Sequence, residues 1–311
     1  MSTHDSLKSH TIGWIGTGRM GFAMARRLLA AGCDVAVYNR TRSKAQPLVG
    51  LGAKVVDSPA ELADRDIVFS MVSTGDDLNE VVSGKQGVLA GRSLPKLLVD
   101  CSSVSERASS TVRARALERG VRMIAAPVSG NAKVVEAGKL SIVASGPRDA
   151  FAVVEPYLNA LGTGVTYVGE GELARMVKIC HNLLLGILTQ AMAEITVLAE
   201  KGGVSRHDFL EFISRSVLGS VFLRYKMPAF VNLDMTPTFT PVLLRKDLDL
   251  GLKAGEELGV PLPLTALTRE YVQKTVDAGL KDRDFAVLLL EQARAAGLEL
   301  QPENVPVNDG L

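Results

Sequence analysis

The sequence predicts an α/β protein with a parallel sheet covered by helices on both faces, followed by an all-helical second half. In the first half, short β-branched runs alternate with helical patterns. A long apolar helical pattern follows, and after it only helical patterns appear. The 311 residues suffice for two domains of about 100–200 residues each.

The first half contains five apolar runs that predict buried strands. They cover residues 11–15, 34–38, 67–72, 97–100 and 122–125. Residues 21–31 and 43–51 carry helical patterns between the first of these strands, which is typical of a parallel sheet. Residues 140–144 and 165–168 predict two later strands at the edge of this sheet.

The second half begins with a helical pattern over residues 172–201, which Gly202 and Gly203 end. This helix would be about 45 Å long. It is apolar on most faces, which predicts burial between other elements. Further helices are predicted at residues 205–217, 244–258, 263–278 and 284–296, and the tail 301–311 is expected to fray. The predicted domains are residues 1–171 and 172–311, joined by the long helix.

The composition favours a cytoplasmic globular protein. The hydrophobic fraction is 47% and the charged fraction 22%, which is typical of a globular protein. The net charge is +1, so there is no global field that attracts nucleic acid or an anionic membrane. Cys33, Cys101 and Cys180 lie too far apart for a disulfide framework or metal-ligand spacing, and the four histidines form no metal pattern. Residues 1–10 do not resemble a signal peptide. The apolar stretches are expected to be too short, or too often broken by charge, to span a bilayer.

A glycine motif follows the first strand and opens the first helix. It consists of Gly16, Thr17, Gly18, Arg19, Met20 and Gly21. This G-x-G-x-x-G placement is typical of a Rossmann-type dinucleotide site, in which the helix N-terminus faces a pyrophosphate. The alternative is an ordinary glycine-rich turn between a strand and a helix.

The end of the second strand favours NADP over NAD, although NAD stays possible. An acidic residue that would bind the ribose 2′-hydroxyl is expected here, but the chain has Asn39, followed by Arg40 and Thr41. A guanidinium attracts a 2′-phosphate, which an acid would repel. A solvated basic turn is the alternative, and it suits Arg42 and Lys44 well.

Two polar residues four apart, Lys178 and Asn182, share one face of the long helix. A lysine in an apolar run costs free energy unless it is paired or functional, and burial would lower its pKa toward that of a general acid/base. The alternative is a lysine at a domain edge whose ammonium group reaches solvent. Spacing alone leaves both interpretations open.

Two further segments are suggestive only in combination. Residues 126–140 place small polar residues beside glycine, which suits a substrate carboxylate, although a surface turn is the better explanation of the segment taken alone. Lys246 and Asp247 begin a helical pattern, and a solvated charged turn is the simpler explanation.

Taken together, the motifs resemble the 3-hydroxyisobutyrate dehydrogenases, also called β-hydroxyacid dehydrogenases, which are relatives of 6-phosphogluconate dehydrogenase. The resemblance extends from about residue 11 to 297. Four blocks carry it in the family's order: GWIGTGRMGFAMA, APVSG, GEGELARMVKICHN and RKDLDL. It implies a Rossmann-type first domain, a helical second domain, and a homodimer or homotetramer.

The resemblance also implies roles for single residues. The family's proton-transfer lysine falls on Lys178 and its substrate-orienting asparagine on Asn182. The pair that holds the substrate carboxylate falls on Ser129 and Gly130, and the lysine near the nicotinamide on Lys246.

Cofactor contacts of the family fall on Met71 and Val72, at the end of the predicted strand 67–72, and on Ser103. Relatives with Asn-Arg-Thr after the second strand tend to use NADPH, in agreement with the charge argument.

The chain departs from the family's pattern near the expected substrate loop. Asn131 replaces a glycine and adds a side-chain donor and acceptor, Val134 and Val135 replace glycine-alanine, and Lys139 replaces a threonine. Ser73 replaces a proline. These departures affect the expected substrate and not the chemistry.

The sequence therefore predicts an NADP-dependent 3-hydroxyacid dehydrogenase or semialdehyde reductase, with its site in the cleft between the domains. Hydride would pass between the nicotinamide and a small carboxylate substrate, with Lys178 moving the proton and Ser129, Gly130 and Asn131 holding the carboxylate. Two alternatives are an imine reductase of similar fold and a non-catalytic NADP-binding sensor or assembly module. The Lys178–Asn182 pair argues against both.

Overall fold

A computed structural model describes residues 7–310, so the predictions for residues 1–6 and for Leu311 lie outside the described residues. The chain divides into two compact units, Met1–Lys178 and Ile179–Leu311. The sequence-based domain boundary after residue 171 stays a prediction.

The first unit contains a six-stranded parallel sheet in the order β3-β2-β1-β4-β5-β6. Its strands are β1 (Ile12–Ile15), β2 (Val35–Tyr38), β3 (Lys54–Val55), β4 (Ile67–Ser70), β5 (Leu97–Asp100) and β6 (Arg122–Ala125). The order reverses between β1 and β4, and ligands of such sheets bind at the carboxyl ends of the strands at this point. The predicted fold class is confirmed, while the two-residue β3 was not predicted.

Three helices follow strands of this sheet: α1 (Arg19–Ala30), α2 (Gly75–Ser83) and α3 (Glu106–Glu118). The predicted helix over residues 43–51 is instead two 3₁₀ helices, Arg42–Lys44 and Gln46–Leu51. Pro47 has no amide hydrogen and therefore cannot take part in a continuous α-helical ladder there.

The two later predicted strands belong to a second sheet of three strands, which adjoins the edge strand β6 of the main sheet through an antiparallel bridge between Ala125 and Ser145. Its strands are β7 (Val128–Ser129), β8 (Leu140–Ala144) and β9 (Gly162–Tyr167). Its order is β7-β8-β9, and it is connected by α4 (Ala132–Glu136) and α5 (Arg148–Leu161). After β6 the chain reaches Pro127, which lacks an amide donor and ends the main ladder.

Helices alone make up the regular structure of the described part of the second unit. The long helix α6 (Leu173–Lys201) runs from the first unit into the second. It is followed by α7 (Arg206–Arg215), α8 (Val221–Val231), α9 (Pro241–Leu258), α10 (Pro263–Asp277), a 3₁₀ turn at Phe285–Val287 and α11 (Leu288–Ala295). The sequence did not predict α8, which contains Pro228 in its last turn.

One side of α6 is more exposed than its composition predicts. Leu184, Leu188, Ile195 and Leu198 are all exposed, so burial on most faces was a wrong expectation. By length and composition, α6 could also cross a membrane, which contradicts the expectation that no stretch is suitable. A core helix passes the same test, and half of its most apolar segment is buried, so this finding alone is weak evidence for a span.

The C-terminal tail is attached to the second unit, whereas the sequence predicted fraying. The Nδ2 group of Asn232 donates to the Val305 carbonyl at 2.8 Å, and the Arg206 guanidinium donates to the Gln301 carbonyl at 2.5 Å. Val305 and Val307 pack against the core of the unit. Val305 and Val307 are partly buried and alternate with the exposed residues Asn304, Pro306 and Asn308, and burial of one side of the tail offsets the cost of ordering it.

Candidate active site

The glycine motif forms a loop in which two of the three glycines are required by close contacts with the backbone. Gly16 has a φ of +91°, and a Cβ there would lie 2.2 Å from the Met71 carbonyl oxygen. A Cβ on Gly21 would lie 1.9 Å from the Gly16 carbonyl oxygen. By contrast, a Cβ on Gly18 would meet no atom within 4 Å. The first and third glycines therefore allow close packing of the chain, while the second leaves an open surface.

The indole of Trp14 supports this loop from inside the sheet. Trp14 is fully buried on β1, and its Nε1–H donates a 2.9 Å hydrogen bond to the Gly16 carbonyl. Its ring stacks on that of Phe69 in the neighbouring strand β4, with the centroids 5.5 Å apart. The indole thus fixes the loop relative to the two strands between which the sheet order reverses.

The start of α1 has the properties of an anion site. No side chain caps its N-terminus, and its first turn contains no acidic residue. Thr17 is buried, and its Oγ1 has no hydrogen-bond partner within the part of the chain that the structure describes. Free helix N–H groups, an available hydroxyl and the open surface at Gly18 together fit the pyrophosphate of a dinucleotide.

At the end of β2, Asn39 connects the strand to the glycine loop. Its Oδ1 accepts the Thr17 amide at 2.8 Å, and its Nδ2 donates to the Thr41 carbonyl at 2.9 Å. Arg40 beside it has a side chain that is 86% exposed and pairs with Asp77 at 3.0 Å. The sequence thus identified Arg40 as a candidate 2′-phosphate ligand but gave no sign of its carboxylate partner on α2.

The carboxyl ends of β4 and β5 are joined by one buried carboxylate. Oδ1 of Asp100 accepts hydrogen bonds from the hydroxyls of Ser70 at 2.6 Å and Ser102 at 2.7 Å. The Ser102 hydroxyl in turn accepts the amide of Val72 at 2.9 Å. Two of the predicted cofactor contacts, Met71 and Val72, are therefore held next to the third, Ser103, by this network.

The same carboxylate binds a buried guanidinium at the start of α6. Arg175 Nη2 lies 2.5 Å from Asp100 Oδ2, and both side chains are only 1% exposed. Nη1 donates to the Ser102 carbonyl at 2.5 Å, and Nε donates to the Ser109 hydroxyl at 3.2 Å. No sequence motif marks Arg175 or Asp100 as a functional residue.

Lys178 lies one turn after Arg175 and is half-buried in the first unit. Asn182 lies one turn further along α6, is buried, and belongs to the second unit. Their spacing places the two side chains on one face of the helix, as the sequence predicted. Their roles in a reaction stay predictions at this point.

Asn182 is oriented by an acidic residue of α9. Its Nδ2 donates to Asp247 Oδ2 at 2.6 Å, and its Oδ1 lies 2.9 Å from Nδ1 of His181. Lys246 Nζ lies 3.3 Å from the other oxygen of Asp247. Because Asp247 is buried, its interpretation as part of a solvated charged turn is wrong. The carboxylate defines which end of the Asn182 amide is the donor.

Close packing of α6 on α9 brings these two side chains together. A Cβ on Gly251 would lie 2.3 Å from a methyl group of Leu183, so the leucine fills the space above this glycine. Leu183 follows Asn182 directly, and Gly251 lies one turn after Asp247. A larger residue at position 251 would separate the helices and lengthen the Asn182–Asp247 hydrogen bond.

The predicted carboxylate-binding residues form a tight turn between β7 and α4. Gly130 has a φ of +136°, and a Cβ there would lie 2.7 Å from a methyl group of Val134. Oδ1 of Asn131 accepts the Val134 amide at 3.1 Å and caps α4, so this acceptor is already engaged within the loop. Val134 and Val135 are buried. Two of the departures from the family pattern thus fill the interior beneath the loop.

Family models match both halves of the chain. A model described as the NAD binding domain of 6-phosphogluconate dehydrogenase matches residues 11–169. A second, described as the NAD-binding domain of NADP-dependent 3-hydroxyisobutyrate dehydrogenase, matches residues 172–290. The chain belongs to the 3-hydroxyisobutyrate dehydrogenase family. It therefore binds NAD(P) and has the fold and general activity class of the hydroxyacid dehydrogenases.

Individual relatives agree with this assignment. Glyoxylate/succinic semialdehyde reductase 2, chloroplastic, of Arabidopsis thaliana is 33% identical over 297 residues, which cover 95% of this chain and 82% of that protein. A crystal structure of 3-hydroxyisobutyrate dehydrogenase from Salmonella typhimurium has a TM-score of 0.82 at 26% identity, covering 90% of this chain and 99% of that one. Psf3 in complex with NADP⁺ and 2-OPP has the same TM-score and coverage at 25% identity.

Imine reductases share only the fold with this chain. A Myxococcus stipitatus imine reductase in complex with NADP⁺ has a TM-score of 0.59 at 21% identity, covering 89% of this chain and 98% of that one. This similarity carries no information about the reaction.

Proposed function

We propose that the protein is an NADP-dependent reductase of small semialdehydes, or dehydrogenase of the corresponding 3-hydroxy acids, with Lys178 as the proton-transfer residue. The observation that carries this proposal is the arrangement of Lys178 and Asn182 one turn apart on α6, with the Asn182 amide oriented by buried Asp247. When bound, the nicotinamide supplies or accepts the hydride at the substrate carbon.

Lys178 gives a proton to the carbonyl oxygen during reduction and removes it from the hydroxyl during oxidation. Lys178 is half-buried, so part of its side chain is shielded from water. One Nδ2 hydrogen of Asn182 is donated to Asp247, and the proposal assigns the second hydrogen of this amide to the substrate oxygen. Asn182 therefore orients the oxygen that Lys178 protonates.

Ser129 and Gly130 bind the substrate carboxylate through a hydroxyl and backbone N–H groups. The positive φ of Gly130 and the capped turn at Asn131 hold this loop in one conformation before substrate arrives. A pre-formed loop reduces the entropy lost on binding. These features support a small acid as substrate.

Arg40 selects NADP through its guanidinium, in competition with Asp77. The Arg40 side chain is 86% exposed, so its 3.0 Å ion pair contributes little and can be exchanged for a dianionic 2′-phosphate. Lys246, which the family places near the nicotinamide, completes the proposed cofactor contacts.

The direct test is absorbance at the reduced-nicotinamide band with a panel of small 3-hydroxy acids and semialdehydes, run with NADP and NAD in parallel. Turnover that prefers NADP is the expected result. Turnover that prefers NAD would retain the activity and overturn the role of Arg40.

A matched pair of variants isolates the role of Arg40. Arg40→Ala should raise the KM for NADPH about 10-fold or more and leave that for NADH nearly unchanged, because it removes a charged hydrogen bond to the 2′-phosphate. Arg42→Ala is the control, because Arg42 lies in the same basic turn and also forms an ion pair, with Asp57, but is not assigned to the 2′-phosphate. Equal effects of the two substitutions would contradict the assignment.

The two other candidate functions give different results in the same assay. An imine reductase would consume NADPH with cyclic imines and not with semialdehydes. A sensor or assembly module would bind NADPH, as measured by calorimetry, and turn over neither class of substrate. The Asn182–Asp247 hydrogen bond disfavours the sensor, because cofactor binding alone requires no oriented amide on α6.

A further inference from the structure

We propose that Arg175 is a positioning residue, which fixes Lys178 relative to the cofactor-binding ends of β4 and β5 through the buried carboxylate of Asp100. This inference rests on the proposed function, because it assigns a purpose to the geometry around the proton-transfer lysine. Neither residue is assigned a contact with substrate or cofactor.

Two of the three residues that accept hydrogen bonds from Arg175 lie at or just after the end of β5, beside the proposed cofactor contacts, and its Nε also lies 3.8 Å from Glu172 Oε2. Its guanidinium reaches the Asp100 carboxylate at 2.5 Å, the Ser102 carbonyl at 2.5 Å and the Ser109 hydroxyl at 3.2 Å. These three partners lie in β5, in the segment after β5 and in α3. One side chain thus ties the first turn of α6 to three separate parts of the first unit.

We call the Arg175–Asp100 ion pair the anchor. The helix couples Lys178 rigidly to it. Lys178 lies three residues after Arg175, which corresponds to a rise of about 4.5 Å along the helix axis. The directions of the two side chains differ by about 60° around this axis, so both lie on the same side of the helix. Both residues belong to the same compact unit, whose last residue is Lys178. A displacement of the guanidinium therefore moves the backbone from which the Lys178 side chain extends.

The carboxylate side of the anchor is coupled to the cofactor contacts just as directly. Asp100 accepts both the Ser70 and Ser102 hydroxyls, and the Ser102 hydroxyl accepts the Val72 amide. A single hydrogen-bond chain therefore runs from Val72 through Ser102 and Asp100 to Arg175. It provides a fixed distance between the segments proposed to hold the nicotinamide and the lysine that serves it.

A second ion pair restrains the residues just before Arg175. Arg113 Nε donates to Glu172 at 2.6 Å, and its Nη2 donates to the Gly171 carbonyl at 3.0 Å. The Ser145 hydroxyl donates to the same carbonyl at 2.8 Å and accepts the Ala174 amide at 3.0 Å. Because these contacts already attach the chain to the first unit, the further burial of Arg175 serves orientation more than attachment.

The planar guanidinium is required for this geometry. Five donors in a fixed fork allow Arg175 to serve a carboxylate and a carbonyl in one plane while Nε reaches a third partner. A lysine would retain the charge but could not hold the three directions at once. A conservative substitution therefore separates positioning from charge compensation.

Arg206 offers a matched control in the second unit. Its side chain is also 1% exposed, it pairs with Glu200 at 2.6 Å, and it donates to the Phe230 and Val231 carbonyls. Its environment is similar, but it lies on α7 and not on the helix that carries Lys178. Loss of stability alone should therefore affect Arg175→Lys and Arg206→Lys alike.

The experiment compares Arg175→Lys, the double variant Arg175→Met with Asp100→Asn, and Arg206→Lys. The double variant removes both charges together, so that no uncompensated buried charge prevents folding. Thermal unfolding, NADPH affinity by calorimetry, kcat, KM and the solvent deuterium isotope effect on kcat are measured for each. We expect both Arg175 variants to lose about 10- to 100-fold in kcat, since a 1 Å misplacement can have such an effect.

The pattern across measurements decides between positioning and bulk stability. Positioning predicts a larger solvent isotope effect in both Arg175 variants, because proton transfer becomes slower, with NADPH affinity within about 3-fold of wild type. Arg206→Lys should lower the unfolding temperature and leave kcat and the isotope effect unchanged. Wild-type kcat in the double variant, or an equal loss in Arg206→Lys, would overturn the proposal.

Failure of the proposed function gives a distinct result. If the wild-type protein turns over no acid or semialdehyde, that function is wrong, and hydrogen exchange then tests the anchor alone. The double variant should speed exchange of the amides at residues 175–178 and leave those at 16–21 unchanged. Unchanged exchange at residues 175–178 would refute the anchor whatever the activity.

Discussion

Two consecutive turns of α6 are fixed by different kinds of interaction. The turn that contains Lys178 is attached to the first unit by a fully buried ion pair, Arg175–Asp100. The turn that contains Asn182 is held in the second unit by an amide-to-carboxylate hydrogen bond and by Leu183 packed onto Gly251. A buried ion pair fixes the first turn, whereas a hydrogen bond to a carboxylate and close packing together fix the second.

The difference shows which property each turn must control. A buried ion pair adds little net stability, because desolvation offsets most of the attraction, but its hydrogen bonds have strict directions. Packing against a glycine is less directional, yet it sets the distance between two helices within a few tenths of an ångström. The ion pair thus suits Lys178 in its proposed role of proton transfer, and the close packing suits Asn182 in its proposed role of orienting the substrate oxygen.

The largest expected effect comes from the proposed proton-transfer residue. Lys178→Ala should lower kcat about 100- to 10,000-fold while NADPH affinity stays near wild type, since it removes the group proposed to move the proton and no proposed cofactor contact. Asn182→Ala should lower kcat about 10- to 100-fold, through the loss of one hydrogen bond. Steady-state kinetics with parallel calorimetry measure both. A Lys178→Ala protein with wild-type turnover would remove the basis of the comparison.

The next effect tests the hydrogen bond of the second unit. Asp247→Ala leaves the buried Asn182 amide without its acceptor, which should cost about 1–3 kcal/mol of unfolding free energy and lower kcat about 10-fold. Asp249→Ala on the same helix is the control, because Asp249 is exposed and pairs with Arg269. Chemical denaturation and kinetics of the two variants are compared. Similar losses at both positions would mean that Asp247 has no special role.

A purely steric change tests the packing. Gly251→Ala forces Leu183 to move from its position 2.3 Å from the new Cβ, and we expect a loss of about 1–3 kcal/mol with a modest decrease in kcat. Gly50→Ala is the control, since a Cβ there meets nothing within 4 Å. Urea denaturation gives the unfolding free energy of both variants, and steady-state kinetics give their kcat. If Gly251→Ala changed neither the unfolding free energy nor kcat, α9 could shift without consequence.

The smallest effect concerns charge at the edge of the first unit. The Thr11 amide donates to Asp66 and, against partial desolvation, lowers the pKa of this carboxyl to about 2 from its ordinary 3.8. Because the folded-state pKa is the lower one, its stabilisation is present above about pH 4 and disappears as the pH falls toward 2. Asp66→Asn should therefore lower the Tm by about 2–4 °C at neutral pH and by less at pH 3.

Asp64→Asn is the control for this pH dependence, since the Asp64 side chain is largely exposed and lies 3.8 Å from Arg65. Differential scanning calorimetry across pH 2–7 measures both variants. A constant difference between Asp66→Asn and wild type over this range would contradict the assigned cause.

The fold was largely predictable because its signals are local. Alternating apolar runs and the glycine motif identify β1, β2, β4, β5 and β6, and each run buries both faces of its strand. The separate second sheet was missed, because a strand pattern does not say which neighbour it pairs with. The attached tail was missed for a similar reason, since its partners Asn232 and Arg206 lie about 70 to 95 residues away in sequence.

The candidate site was only half predictable. Motifs identify residues whose type is unusual at their position, such as Gly18 or Lys178, but they do not reveal partners. Asp100 ends an apolar strand and Arg175 interrupts an apolar helix, so each could have been noted as a charge in an apolar setting. Their pairing depends on tertiary contact across 75 residues of sequence, which no local pattern contains.

The chain has one tryptophan, and it lies beneath the glycine loop with its Nε1–H bonded to the Gly16 carbonyl. Its near-ultraviolet emission is therefore a built-in optical reporter of this loop, free of background from other indoles. Reduced nicotinamide absorbs in the region where buried tryptophan emits, so a dinucleotide bound at the loop would quench this emission by energy transfer. Titration of the unlabelled protein would give the occupancy of the loop from a single, structurally defined position.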